Sequence, residues 1–556
     1  MNSLPDEIVL YILDNIENTS DILNFLSTSK FYHSFINKYK FDRNTDLSNY
    51  FVKNKYIPKN IIGKLNIEIK KENFDYEYLM KLIKLDINRL NLSDTNISDV
   101  SMLGNCEELN LSGCKNIIDV SNLRNVRKLN LSRTKISDVS MLGNCEELNL
   151  SFCEGITDFS MLGNVKKLNL SDTNISDVSM LGNCEELDLS GRDNILDISN
   201  LGNVKKLNLS DTKISNVSML GNCEELNLSG TKISDVSMLG NVRKLNLKRT
   251  YISDVLMLGN CEELDLSDCE NILDVSNLVN VKKLNLSYTK ISDVSILGNC
   301  EELNLSGCYY IKDFSMLGNV RKLNLRGTNI SDVSMLINCV ELDLSMCYNI
   351  IDALMLGNVK KLNLAGTNIR DVSMLGNFEE LDLSWCYNII DASMLGNVKK
   401  LNLKYTKISD VSILGNCEEL DLSCCKNIRD VSMLGNVRKL NLKGTNISDV
   451  SKLGNCVELD LSLCYNIIDA SMLGNVKKLN LAGTNIRDVS NLGNVKKLNL
   501  SSTKIKDVSM LGNCEELNLF DCKYIKDVSM LGNVRKLNLK LTNISDVIQI
   551  FMMFEW

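Results

Sequence analysis

Twenty cysteines and one histidine, His33, are the side chains here with the widest chemical repertoire. Thiolates beside imidazoles could hold zinc or form a nucleophile–base pair, and neighbouring thiols could form disulfides. A single histidine excludes a histidine-rich zinc site, and it lies far along the chain from the first cysteine, Cys106. The cysteines instead follow a fixed spacing. Ten stand three residues before a recurring leucine (Cys106, Cys145, Cys184, Cys223 and onward to Cys514), nine stand a few residues after it (Cys114, Cys153, Cys269 and onward to Cys522), and Cys424 alone is extra. No nucleophile–base pair, phosphate loop or metal site can be assembled from these residues, so the chain reads as a binding protein that is not an enzyme and needs no cofactor.

Composition narrows the partners. Lysine and arginine number 62 against 70 aspartates and glutamates, a net charge of −8. Along the chain basic residues are matched by acids nearby, so neither nucleic acid nor an anionic membrane is the expected partner. The start, MNSLPDEIVL, has acids where a signal peptide needs a basic and then an apolar run. No run approaches the roughly 18 apolar residues of a bilayer span. A cytoplasmic protein is expected. Only two prolines, Pro5 and Pro58, punctuate 556 residues, which favours one repeated architecture over several separate domains.

The repeat that positions the cysteines is Leu-Asn/Asp-Leu, with its first leucine at Leu90, Leu109, Leu129 and so on to Leu537, 24 times at spacings of 19 or 20 residues. A representative unit is LNLSGTKISDVSMLGNVRK, from Leu226 to Lys244. Leu226 and Leu228 flanking Asn227 give the period-two pattern of a short strand with one buried face. Thr231, or Cys308 in a longer unit, can bond the loop backbone. Asp235, replaced in one unit by Asn216, can cap a helical or 3₁₀ turn. Gly240-Asn241 is expected to supply left-handed conformations for the return to the next strand. A coil this short has no room for a long convex helix.

Stacking explains the cysteines and the charges. Cysteine-bearing coils mostly alternate with valine or threonine coils, so equivalent thiols fall roughly 10 Å apart, beyond disulfide reach. They read as small buried hydrophobes, all reduced and free of metal. Units entered through Cys-Glu-Glu, as at Glu107 and Glu108, alternate with units entered through Val-Lys-Lys or Val-Arg-Lys, as at Arg127 and Lys128. Carboxylates then face ammonium groups on neighbouring coils, which serves register and solubility. The repeated Asn-Leu-Ser, as at Asn110, is formally a glycosylation sequon. Glycans there would fill the concave face, a second argument for an intracellular protein.

These units resemble the leucine-rich repeat, LxxLxLxx(N/C/T)xL, here Cys223-Glu-Glu-Leu226-Asn-Leu228-Ser-Gly-Thr231-Lys-Ile233. The ISDVSxL half is similar to the convex side of internalin-type repeats, and the LSGCxNIxDVS variant to the cysteine-containing repeats of F-box proteins. The fold class this implies is α/β: residues 87–547 a solenoid of parallel short strands and short convex turns, preceded by a small all-α module. Residues 1–44 give that module, with Leu4-Pro5-Asp6-Glu7-Ile8, Ile12, Leu13 and Ile16 at helical spacing, then a second amphipathic stretch from Asp21 through Leu23 and Leu26 to Phe35 and Ile36. So small a bundle needs a partner surface. It resembles the F-box, LPxEIxxxILxxL then DLLxLxxVxKxW, departing at Ile16, Ile22, Ser29 and Tyr32.

The resemblance implies a substrate receptor. Leu4, Pro5, Ile8, Ile12, Leu13, Leu23 and Leu26 would dock a Skp-type adaptor, and through it a cullin, while the repeats hold a target protein. Residues 45–86 read as linker and N-terminal cap, with NTDLSNYFVKNK and FDYEYLMKLIKL helical around KLNIEI, and 548–556 as a C-terminal cap. The Asn/Ile/Lys-rich, proline-poor usage is similar to F-box and leucine-rich-repeat proteins of giant viruses of amoebae, which would place the chain in host cytoplasm. A decoy that sequesters the adaptor and an intracellular scaffold with no ubiquitin link stay open. Most concave columns are monotonous, but the column two residues after the second strand leucine varies, with Phe152, Tyr288, Met346, Trp385, Tyr405 and Leu463 among its members. Trp385 and Tyr405 fall on adjacent coils, and Tyr348, Tyr387 and Tyr465 in nearby loops, so Trp385, Tyr405, Met346 and Tyr387 are the candidate target-binding residues. Drift at an unconstrained loop position would give the same column.

Overall fold

In a computed structural model, the described residues are 45–46, 65–71, 74–85, 87–353, 356 and 359–544. The F-box-like stretch 1–44, with Leu4, Pro5, Ile8, Ile12, Leu13, Leu23 and Leu26, lies outside them, as does the cap 548–556. The chain divides into two compact units, residues 1–269 and 270–556.

The first unit begins with β1 (Thr45–Asp46), which pairs in parallel with β2 (Leu65–Glu68). β2 in turn pairs with β3 (Ile87–Asn91), the first repeat strand. The stretch KLNIEI therefore extends the sheet of the repeats by one strand. The segment FDYEYLMKLIKL forms a short helix, α1 (Tyr76–Leu82), with Asp75 accepting from the Glu77 and Tyr78 amides and Leu79 and Leu82 buried. NTDLSNYFVKNK was expected to be helical, but Thr45 and Asp46 are strand and its remainder lies outside the described residues.

Each coil then contributes one three-residue strand, from Glu108–Asn110 to Glu263–Asp265 in the first unit and from Lys283–Asn285 to Lys536–Asn538 in the second. Pairing is parallel and in register: Leu226 sits opposite Leu245 and Asn227 opposite Asn246. The ladder continues past the strand, with the Leu228 amide donating to the Asn246 carbonyl at 2.8 Å. Both strand leucines, the loop isoleucine, the valine after the cap aspartate and the turn leucine are buried in coil after coil, as at Leu226, Leu228, Ile233, Val236 and Leu239. Each such side chain contributes roughly 2 kcal/mol of apolar burial, and one coil cannot enclose them without its neighbours.

Asparagine or aspartate between the leucines is a structural choice. Asn227 Oδ1 accepts from the Ser229 amide at 3.1 Å, and Asp265 does the same for Ser267 at 2.9 Å. The aspartate that opens each convex turn acts likewise: Asp235 Oδ1 accepts from the Ser237 amide at 2.9 Å, and Asn216 serves Ser218 at 3.0 Å. Short 3₁₀ turns follow, as at Ser160–Asn164.

The glycine of the Gly-Asn pair corrects the sequence expectation. Gly104 has φ −64° and Gly435 φ −61°, both right-handed, and among the described residues no glycine of this column adopts positive φ. It is required by close approach instead: a Cβ on Gly376 would lie 2.2 Å from the Met394 carbonyl oxygen.

Candidate functional site

The left-handed backbone lies in the variable column. Two residues after the second strand leucine every repeat has positive φ, from Asp94 at 58° to Leu541 at 60°, with sixteen non-glycine and eight glycine occupants. Aspartate tolerates this conformation, whereas a branched or bulky residue held there costs roughly 1–2 kcal/mol. The two units fill the column differently. In the first it holds Asp94, Arg133, Asp172, Asp211, Arg249 and Asp268, with Phe152 the one aromatic. In the second it holds Tyr288, Met346, Trp385, Tyr405, Cys424 and Leu463, followed by Ser502, Asp521 and Leu541. Large occupants lie over the glycine of the next coil: a Cβ on Gly366 would meet Met346 Sδ at 2.8 Å, and one on Gly483 would meet Leu463 Cδ2 at 2.9 Å.

Three of the four candidate residues form one cluster. Trp385 stacks on Tyr405 with ring centroids 4.0 Å apart and planes 30° apart. Tyr387 meets Trp385 edge-on at 6.2 Å and 86°. Lys404 Nζ lies 5.4 Å from the Tyr405 ring centre, and the neighbouring Cys424 thiol raises the Tyr405 phenol above its ordinary pKa by hydrogen bonding. The fourth residue, Met346, sits two coils toward the N-terminus, where its sulfur accepts from Tyr348 Oη at 3.5 Å. Trp385 remains 41% exposed, Tyr387 50% and Tyr348 62%, so these rings present faces to solvent even when stacked.

Sequence reading did not recognise the order in the tyrosines. Tyr309, Tyr348, Tyr387 and Tyr465 each directly follow a post-strand cysteine, and all four are exposed. Asparagines of the following coils clamp the backbone of three of them: Asn329 Nδ2 donates to the Tyr309 carbonyl at 2.7 Å, Asn368 to Tyr348 at 2.6 Å and Asn485 to Tyr465 at 2.6 Å. The rings therefore stand on an ordered edge.

Stacking also gathers charge that linear reading saw as balanced. Between the second strand leucine and the cap aspartate, the ten coils starting at Leu323 and ending with that at Leu498 carry Arg326, Arg370, Lys404, Lys407, Lys426, Arg429, Lys443, Arg487, Lys504 and Lys506, and no aspartate or glutamate. Among the described residues Lys404, Lys407 and Lys443 make no ion pair. The acids nearest in sequence are the cap aspartates, one per coil, such as Asp391 and Asp410. The strand columns behave as expected: Lys400 pairs with Glu380 and Lys439 with Glu419, each at 2.9 Å. In the first unit the rim neutralises itself. Arg192, occupying a cysteine position, reaches Glu154 at 2.7 Å, and Lys213 reaches Asp193 at 2.6 Å. Arg133 lies over the Phe152 ring at 4.9 Å.

The cysteines are part of the core. All twenty are free, and all but Cys424 are buried. Post-strand cysteines pair with the threonine of the preceding coil on a shared carbonyl: Thr367 Oγ1 and Cys386 Sγ both donate to Leu364 O, at 2.8 and 3.1 Å, with 3.5 Å between them. Burial pushes the Cys106 and Cys417 thiols up to about 11. Among the described residues no group of three or more His, Cys, Asp or Glu is placed to hold a metal ion, and no helix is long and apolar enough to cross a membrane.

No protein-family model and no curated protein sequence matches the chain. Among solved structures it is similar to a chain in the crystal structure of a TLR13–ssRNA13 complex, with TM-score 0.59 and 21% identity, covering 92% of this chain and 92% of that one. The repeat geometry and this likeness define a leucine-rich-repeat fold.

Proposed function

We propose that the chain is the substrate-recognition subunit of an SCF-type ubiquitin ligase acting in the cytoplasm, and that the aromatic rim of its second unit holds the target. The observation that carries the target site is the stacked Trp385–Tyr405 pair with Tyr387 at its edge, because aromatic clusters on rigid edges are the usual centres of interface energy. Bulky residues kept at left-handed φ support it, since strain of this kind persists where function requires it. The ligase link is supported by the F-box-like sequence of residues 1–44, whose Leu4, Pro5, Ile8, Ile12 and Leu13 would contact a Skp-type adaptor. Co-purification with adaptor tests it: wild type recovers adaptor and Leu4→Ala with Pro5→Ala does not. Equal recovery would remove the ligase reading and leave a repeat scaffold.

A further inference from the structure

The tyrosine row has a period. Tyr309, Tyr348 and Tyr387 are 39 residues apart, two coils each, and Tyr465 continues the same column after Lys426. Parallel strands stack roughly 4.8 Å apart, so rings two coils apart recur at about 10 Å along the edge. A β-strand ligand presents same-face side chains every ~6.7 Å and falls out of step with such a row. A polyproline II helix has three residues per turn and a rise of ~3.1 Å, so every third side chain recurs at about 9.3 Å. The match holds from Tyr309 through Tyr387.

The chemistry of the rim agrees with that period. Proline rings pack against aromatic faces, and a polyproline II backbone has free carbonyls with few amides to donate. The edge offers the exposed phenol hydroxyls of Tyr309 and Tyr387, the Trp385 indole and the ammonium groups of Lys404, Lys407 and Lys443, all of which can donate. Those cations are unpaired by any acid on their own rim, which favours a ligand carrying carboxylates. With two prolines, Pro5 and Pro58, this chain cannot supply the ligand itself.

We propose that the tyrosine row of the second unit receives a proline-rich, acidic segment of a partner protein in polyproline II conformation. This rests on the rim being the target site and names what the target presents there. The probe is a fluorescent peptide with proline at every third position and glutamate between, titrated by anisotropy against the full chain. The proposal expects saturable binding, weakened at least about tenfold by Tyr348→Ala with Tyr387→Ala. Replacing the peptide's prolines by alanine, or its glutamates by lysine, has an effect of similar size. Phe152→Ala, in the first unit, leaves binding unchanged. Both tyrosines are exposed, so the double variant keeps the fold, which circular dichroism verifies. Equal binding of the alanine peptide, or binding of a single-stranded oligonucleotide but not of the peptide, overturns the proposal. Loss of cellular target capture in a Trp385→Ala, Tyr405→Ala variant, with no binding of any of these peptides, overturns this docking mode while sparing the rim as target site.

Discussion

Trp385 sits at φ +64°, in a column where glycine stands in eight other coils. Truncation to alanine keeps a Cβ at that φ and removes the stack on Tyr405, a contact worth roughly 0.5–1.5 kcal/mol. Truncation to glycine also removes the stack but releases the left-handed cost of roughly 1–2 kcal/mol, against roughly 0.5–1 kcal/mol of extra backbone entropy lost on folding. The alanine variant should therefore lose about 1 kcal/mol and the glycine variant almost nothing, glycine being more stable by roughly 0.5–1 kcal/mol. That order reverses the usual one in regular structure. A solenoid does not unfold all-or-none, so the reading should be local: hydrogen exchange of amides 383–405, followed by mass spectrometry, alongside urea midpoints. Both variants should lose target binding alike. Alanine at 385 as stable as glycine, or more so, would refute the strain argument and with it one support for the rim.

In native protein at neutral pH, Cys424 should be the first thiol to react with a disulfide reagent. All twenty should react in denaturant without prior reduction, and protected pairs would contradict the free-thiol core. Gly376→Ala should cost roughly 1–3 kcal/mol, because its Cβ meets the Met394 carbonyl, whereas a right-handed φ alone would permit it. Cap aspartates such as Asp235, Asp313 and Asp430 are held below the ordinary carboxylate value by the serine amides they accept from. A depressed folded pKa gives stability that is full above the ordinary value and lost as pH falls through the lowered one. Urea midpoints should therefore drop in acid below about pH 4, and less steeply after Asp→Asn at several caps, since Asn216 already accepts the same bond.

The coil was legible because each column obeys a local rule. Leucines at period two gave the strand, and Asp235 before Val-Ser-Met-Leu gave the capped turn. What escaped depends on neighbours that stacking supplies. Gly376 is glycine because of Met394, eighteen positions on, and a lone Gly-Asn pair reads more simply as a left-handed turn. Left-handedness belonged instead to the variable column, whose alternation of glycine with aspartate was the available signal. The basic rim was likewise hidden, because Lys404, Lys426 and Lys443 are scattered among acids along the chain and come to one rim only when coils stack. The Trp385–Tyr405 neighbourhood followed from register alone, while the tyrosine row needed the two-coil period to be noticed.

The rim as target site is the central claim, and affinity capture from a eukaryotic lysate with quantitative mass spectrometry tests it most directly. Wild type, Phe152→Ala and the Trp385→Ala, Tyr405→Ala double variant are compared at matched folding. The expected result is a protein captured by the first two and reduced to background by the third. Capture unchanged in the double variant would contradict it.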